Sequence, residues 1–187
     1  METTSATEHD GISAADTVKF LAGAATALGM HEGGHLLLDA AFGAEPEFKR
    51  VTFGPFPFFA IIHAELSPKR EFAVSSVGLW IQDGVNEWIL TKRPGLRKED
   101  APFVKGMVAF NALTSIGYGA VAMAEAGPYE RDTRGMADAS GVDERVIGAL
   151  VMAPGILDAY RYYRPESKWA VWASRAAKIT SVLLILK

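Results

Sequence analysis

From Gly106 to Ala124 the chain carries no charged residue, and no other feature limits its possible folds as much. A helix over such a stretch rises about 1.5 Å per residue, close to the roughly 30 Å needed to cross a bilayer's hydrocarbon. Its other outlet is the core of a tight helical bundle. Elsewhere the chain is apolar enough for either, with 49% hydrophobic residues and a mean hydropathy of +0.11. The net charge is only -3, and no basic stripe suggests a nucleic-acid partner. Cysteine is absent, so any metal site has to be built from histidines and carboxylates.

Residues 1–13 are polar and acidic and read as a disordered tail without signal-peptide order. Residues 14–187 read as a single domain. Ser13 is placed to cap a helix that begins at Ala14 and runs to about Ala41, with Gly43 as terminator. Gly23, Ala24, Ala25, Ala27 and Gly29 make that helix suited to close packing. Val51–Ala64 is rich in Phe, Val and Ile but contains Pro55 and Pro57, so extended segments are expected there, as a hairpin or a re-entrant loop. A second helix is expected over Glu71–Thr91, then a charged loop to Asp100. Past Gly127-Pro128 the chain is polar to Glu144. Val146–Ala159 is apolar but interrupted by Pro154-Gly155. From Lys168 the chain has a basic, aromatic half with Trp169, Trp172, Arg175 and Lys178, then an apolar half, as at a membrane interface. Tyr160, Tyr162 and Tyr163 with Arg161 and Arg164 read as an interfacial belt. The fold class expected is an all-α membrane bundle of four to five membrane helices, with a short extended segment after the first. Lys92, Arg93, Arg97 and Lys98 mark a cytoplasmic loop. That puts the N-terminus on the same side if Val51–Ala64 does not cross.

His31-Glu32-Gly33-Gly34-His35 is the residue set with chemistry in it. On a helix, positions i and i+4 share a face, so both imidazoles can reach one zinc ion. Glu32 can then reach water beside the metal as a base. A third ligand is required. Asp158, Glu130, Asp132, Glu87, Asp83 and His63 are all candidates, and spacing does not choose among them. Asp39, one turn beyond His35, could orient that ring. Gln82, Asp83, Asn86 and Glu87 form a polar patch that could line a water path. Asn111 has to face protein if its helix lies in lipid.

His31-Glu32-x-Gly34-His35, followed by Phe42-Gly43 and then Val51-Thr52-Phe53-Gly54-Pro55, resembles the zinc-binding helix and following segment of the site-2 protease family of intramembrane metalloproteases. Pro154-Gly155-Ile156-Leu157-Asp158 is similar to that family's second signature. The resemblance implies an integral membrane protein of a bacterial-type inner membrane. It makes Asp158 the third zinc ligand beside His31 and His35, and Glu32 the catalytic residue. The implied activity is a zinc endopeptidase acting on a membrane-associated protein or extended peptide substrate in contact with lipid, and Asn111 could help hold the substrate backbone. A second resemblance, carried by Pro128-Tyr129-Glu130-Arg131-Asp132 with Gly135 and Gly141-Val142-Asp143, is to the CaaX-prenyl-protease family. It would make Glu130 or Asp132 the third ligand. Outside both stands a non-catalytic helical membrane protein that binds a partner.

Overall fold

A computed structural model describes residues 13–53 and 56–183. The expected tail, apart from Ser13, and the Gly54-Pro55 dipeptide lie outside the described residues. Among them the chain forms six helices and one two-stranded antiparallel sheet. The order is α1 (Ala14–Phe42), β1 (Glu47–Phe53), β2 (Phe56–Ile62), α2 (Pro68–Lys92), α3 (Pro102–Met123), α4 (Asp132–Ser140), α5 (Glu144–Tyr163) and α6 (Lys168–Leu183).

The start of α1 is fixed by Ser13, whose hydroxyl accepts from the Asp16 amide at 3.0 Å. Its end is fixed by Gly43, which takes the left-handed φ of 68° that a side chain would disfavour. The expected extended region is a hairpin, paired from Glu47 with Ile62 to Phe53 with Phe56. The second helix starts earlier than expected. Pro68 occupies its first turn after the Ser67 cap, where its missing N–H costs nothing.

Two expectations are corrected in the second half. Pro154 does not interrupt its segment, and α5 runs through it to Tyr163. Pro154 is fully buried, so its fixed backbone angle is absorbed by tight packing around it. The polar segment before Glu144 is not all loop, because it contains α4. Asp132 sits in the first turn, Gly141 closes the helix with a φ of 67°, and Met136 and Ala137 are buried beneath it.

Helices α1, α3 and α5 meet backbone to backbone. A Cβ on Gly23 would collide with the Phe103 carbonyl, and one on Gly106 with the Phe20 carbonyl. A Cβ on Gly119 would lie 2.5 Å from the Gly148 carbonyl oxygen. The small residues thus allow the close crossings their frequency suggested. Apolar packing is concentrated in two clusters. Phe72, Leu79, Met136, Ala137, Ile147 and Val151 join α2, α4 and α5. Ile89, Leu90, Leu96 and Val108 join the ends of α2 and α3.

Candidate metal centre

The H-E-x-x-H turn lies in the middle of α1, and the start of α4 comes to meet it. His31 Nε2 and His35 Nε2 are 3.3 Å apart. Asp132 Oδ2 lies 3.1 Å from the first and 3.5 Å from the second. These three residues form a group that could hold a metal ion. Their spacing tests the fit. Ligand bonds of about 2.0–2.2 Å in a tetrahedron put donor atoms about 3.3–3.6 Å apart. The three edges, 3.1, 3.3 and 3.5 Å, come within about 0.2 Å of that triangle, and the fourth vertex of the tetrahedron remains for another ligand.

Each donor is positioned from a different element. The His35 Nδ1–H donates to the Val74 carbonyl of α2 at 2.8 Å, which aims Nε2 at the site, where the neutral ring would offer its lone pair to a metal. The expected orienting role of Asp39 is therefore filled by backbone. Asp39 is fully buried, and neither of its oxygens has a partner among the described residues. His31 is held by contact, because its ring packs on Gly78 with no room for a Cβ. Asp132 is positioned by the residues beside it. Arg131 donates Nε and Nη2 to the two Glu144 oxygens at 2.7 Å each, and Nη1 to the Pro128 carbonyl at 2.7 Å. A two-pronged pair of this kind fixes direction as well as distance. Burial by itself would raise the Asp132 carboxyl. The His35 imidazole, hydrogen bonds from both rings and the His31 charge outweigh it and hold Asp132 well below the usual carboxylate range.

Beside the group is a cavity of about 420 Å³ lined by Leu28, Phe59, Ile61, Phe110, Tyr118 and Val121, with Glu32 on its wall. Glu32 makes no hydrogen bond or ion pair among the described residues, so its carboxylate is free to exchange a proton. The β2 strand forms one side of this cavity and the segment 128–132 forms another. The hairpin is tied to that segment where Lys49 of β1, paired with Ala60 of β2, donates from Nζ to Glu130 Oε1 at 2.6 Å. That hydrogen bond holds the Glu130 carboxyl below its ordinary value.

Asp158 is not brought to this group, and the ligand role implied for it is corrected. It lies one helical turn from Arg161 on α5 and faces α6. Its Oδ1 accepts from Ser174 Oγ at 2.7 Å and from Lys178 Nζ at 2.8 Å. A fully buried carboxylate needs cationic partners, and α6 supplies them. Glu87 belongs to the same network, accepting from Arg161, from Arg175 at 2.8 Å and from Lys178 at 3.2 Å. Arg161 is thus buried rather than part of an interfacial belt. Arg175 and Lys178 turn inward while Trp169 and Trp172 stay exposed.

The other candidates also lie elsewhere. His63 Nε2 is 3.6 Å from Glu71. Asp83 lines a separate groove between α2 and α6. Gln82 and Asn86 are buried against α3, where Asn111 Nδ2 donates to Asn86 Oδ1 at 2.9 Å. Asn111 faces protein as its helix requires, but its amide is engaged away from the cavity. Asp132 stood in the sequence as one candidate among six. The signal that separates it is Asp132 in the first turn of a short helix closed by Gly141, which places its carboxylate at a defined end.

Comparison with protein families, with curated proteins and with solved structures gives no match for this chain.

Proposed function

We propose that this chain is a membrane-embedded zinc endopeptidase with His31, His35 and Asp132 as ligands and Glu32 as the catalytic base. The observation that carries this reading is the triangle of Nε2, Nε2 and Oδ2 atoms at tetrahedral spacing, beside an unpaired glutamate in a cavity. A zinc ion there would supply Lewis acidity, bringing the pKa of water to about 7 and polarising a carbonyl. Glu32 would take the proton of the attacking water and return it to the leaving amine. The apolar walls suit an extended peptide with apolar side chains. The first half of the chain is similar to site-2 proteases in its helix motif and following hairpin. The aspartate ahead of α4 is instead one of the two residues that the CaaX-prenyl-protease resemblance put forward.

The membrane part of the proposal rests on polar side chains buried beside the apolar core and large apolar ones left on the outside. The interior holds His31, Asp39, Gln82, Asn86, Asn111, Ser115, Asp158 and Arg161. The outside carries Leu21, Leu37, Leu113, Trp88, Trp172 and Ile179. In water this arrangement would leave these apolar groups solvated, whereas in lipid they would be covered. Among the described residues, α3 alone meets the length and hydropathy expected of a crossing helix, and only 39% of its most apolar window is buried by protein. Charges lower the hydropathy of α2, α5 and α6, and of these Glu87, Asp158, Arg161 and Lys178 are paired with one another between the helices.

The test is metal content and peptidase activity of the detergent-purified chain and of Glu32→Gln. About one zinc per chain is expected in both. A quenched-fluorescent mixture of apolar peptides should be cleaved by the native chain and at least about 10²-fold more slowly by Glu32→Gln. No zinc in the native chain after reconstitution would overturn the reading.

A further inference from the structure

We infer that Tyr118 is a second catalytic residue, whose hydroxyl donates to the substrate carbonyl oxygen as that oxygen gains charge. This inference rests on the hydrolase reading above. Tyr118 lies on α3 and lines the cavity that holds His31, Glu32, His35 and Asp132. Its ring centroid is 6.0 Å from that of His31, tilted by 45°. The ring packs against the cluster around Phe72, Leu79 and Met136, which fixes its direction.

Tyr118 is half-buried and lines the cavity. Its hydroxyl makes no hydrogen bond with another of the described residues, so it can give up water for a substrate oxygen that enters the cavity. Arg131, the strongest other donor lining the cavity, is fully engaged by Glu144 and the Pro128 carbonyl. Asn111, two turns earlier on the same face of α3, is engaged by Asn86. Tyr118 is therefore a free donor held by a rigid ring at the edge of the reacting space, the arrangement that favours a developing oxyanion over a neutral carbonyl. In the proposed step the water oxygen bonds to the carbonyl carbon and its proton passes to Glu32. The C–N bond then breaks and that proton goes to the leaving amine. Tyr118 keeps its own proton throughout.

The test compares zinc-loaded native chain with Tyr118→Phe, using a phosphinic pseudopeptide with apolar side chains, whose tetrahedral charged group mimics the transition state. Its Kd should weaken about 10²-fold in Tyr118→Phe. The Kd of the cleavable parent peptide, measured in a Glu32→Gln background, should change by less than about twofold, since ground-state binding does not use the hydroxyl. The kcat should fall with the phosphinate affinity while KM holds. Incorporating 3-fluorotyrosine at position 118 keeps ring and hydroxyl and should retain tight binding. Native binding that survives Tyr118→Phe unchanged overturns the role of Tyr118 alone. Loss of zinc or of fold in Tyr118→Phe, with equal loss in the fluorotyrosine chain, also overturns it by making the residue structural. A zinc-loaded native chain that does not bind the phosphinate overturns the hydrolase reading and this inference with it.

Discussion

Gly78 lies against the His31 imidazole so closely that a Cβ on it would sit 2.6 Å from Cε1 and Nδ1 and 2.7 Å from Nε2. The contact runs between α2 and α1 and sets the ring plane of one donor, whose Nδ1 has no hydrogen-bond partner among the described residues. Gly78→Ala should therefore push the ring out of line without emptying a core position. Metal affinity should fall about 10- to 100-fold, as it does when other supports of ligating histidines are removed. Competition with a chelator of known affinity measures this, and an unchanged affinity would show that the ring is held by something else.

Asp132 and Asp158 are separated by their variants. Asp132→Ala should abolish stoichiometric zinc. Asp158→Ala should keep zinc and lose stability, because Lys178 and Arg161 would lose the fully buried one of their two carboxylates and keep only Glu87. Breaking a buried pair outright costs about 3–5 kcal/mol, and the remaining Glu87 contacts make that an upper bound here. Metal analysis and thermal unfolding in detergent, run on both variants, read the two effects apart. Zinc lost from Asp158→Ala with its fold intact would reverse the assignment.

The Lys49–Glu130 pair closes the hairpin onto the segment that leads to Asp132. Its sign follows from Glu130, whose folded pKa lies below its ordinary value because of the Lys49 hydrogen bond. Such a group contributes stability that is complete above the unfolded pKa of about 4.3 and lost as pH falls through the folded one. Half of the Lys49 side chain is exposed, so the contribution is at most about 1 kcal/mol. Hydrogen exchange of β1 should quicken in Lys49→Met at neutral pH, and in the native chain only in acid. Equal protection in Lys49→Met at neutral pH would show the pair to be idle.

Leu113 is 68% exposed on α3, facing lipid in the proposed placement. Leu113→Lys should raise the cost of inserting this helix by about 2.5–3.5 kcal/mol. The fraction resistant to carbonate extraction should fall accordingly. A native chain released by carbonate, or a variant as firmly embedded as the native one, would count against membrane insertion.

Much of the fold could be read locally. Ser13 and Gly43 bound α1 because a cap hydroxyl and a left-handed glycine act within a few residues of themselves. Pro57 and the aromatic run around it specify extended chain for the same reason. The i, i+4 spacing of His31 and His35 likewise makes a paired donor set wherever the helix is placed. Reading failed where the outcome depends on which helix packs on which. Pro154 looks like a break until burial shows that its surroundings hold the helix together. Helix α4 looks like loop because its nine residues are too few for a clear pattern.

The amino-acid sequence alone determined the two histidines, the glutamate between them, the extended chain after their helix and the apolar stretch of α3, all of them properties of local spacing and composition. Only the tertiary structure decided between two aspartates. Asp158 is drawn to Lys178 and Arg161 because a buried carboxylate is stable only beside cations it can reach. Asp132 is carried to the imidazoles by the Arg131–Glu144 pair, a contact that no spacing within either segment reveals. Which carboxylate joins the two imidazoles is a competition between charges on different helices, and it is decided only when those helices pack.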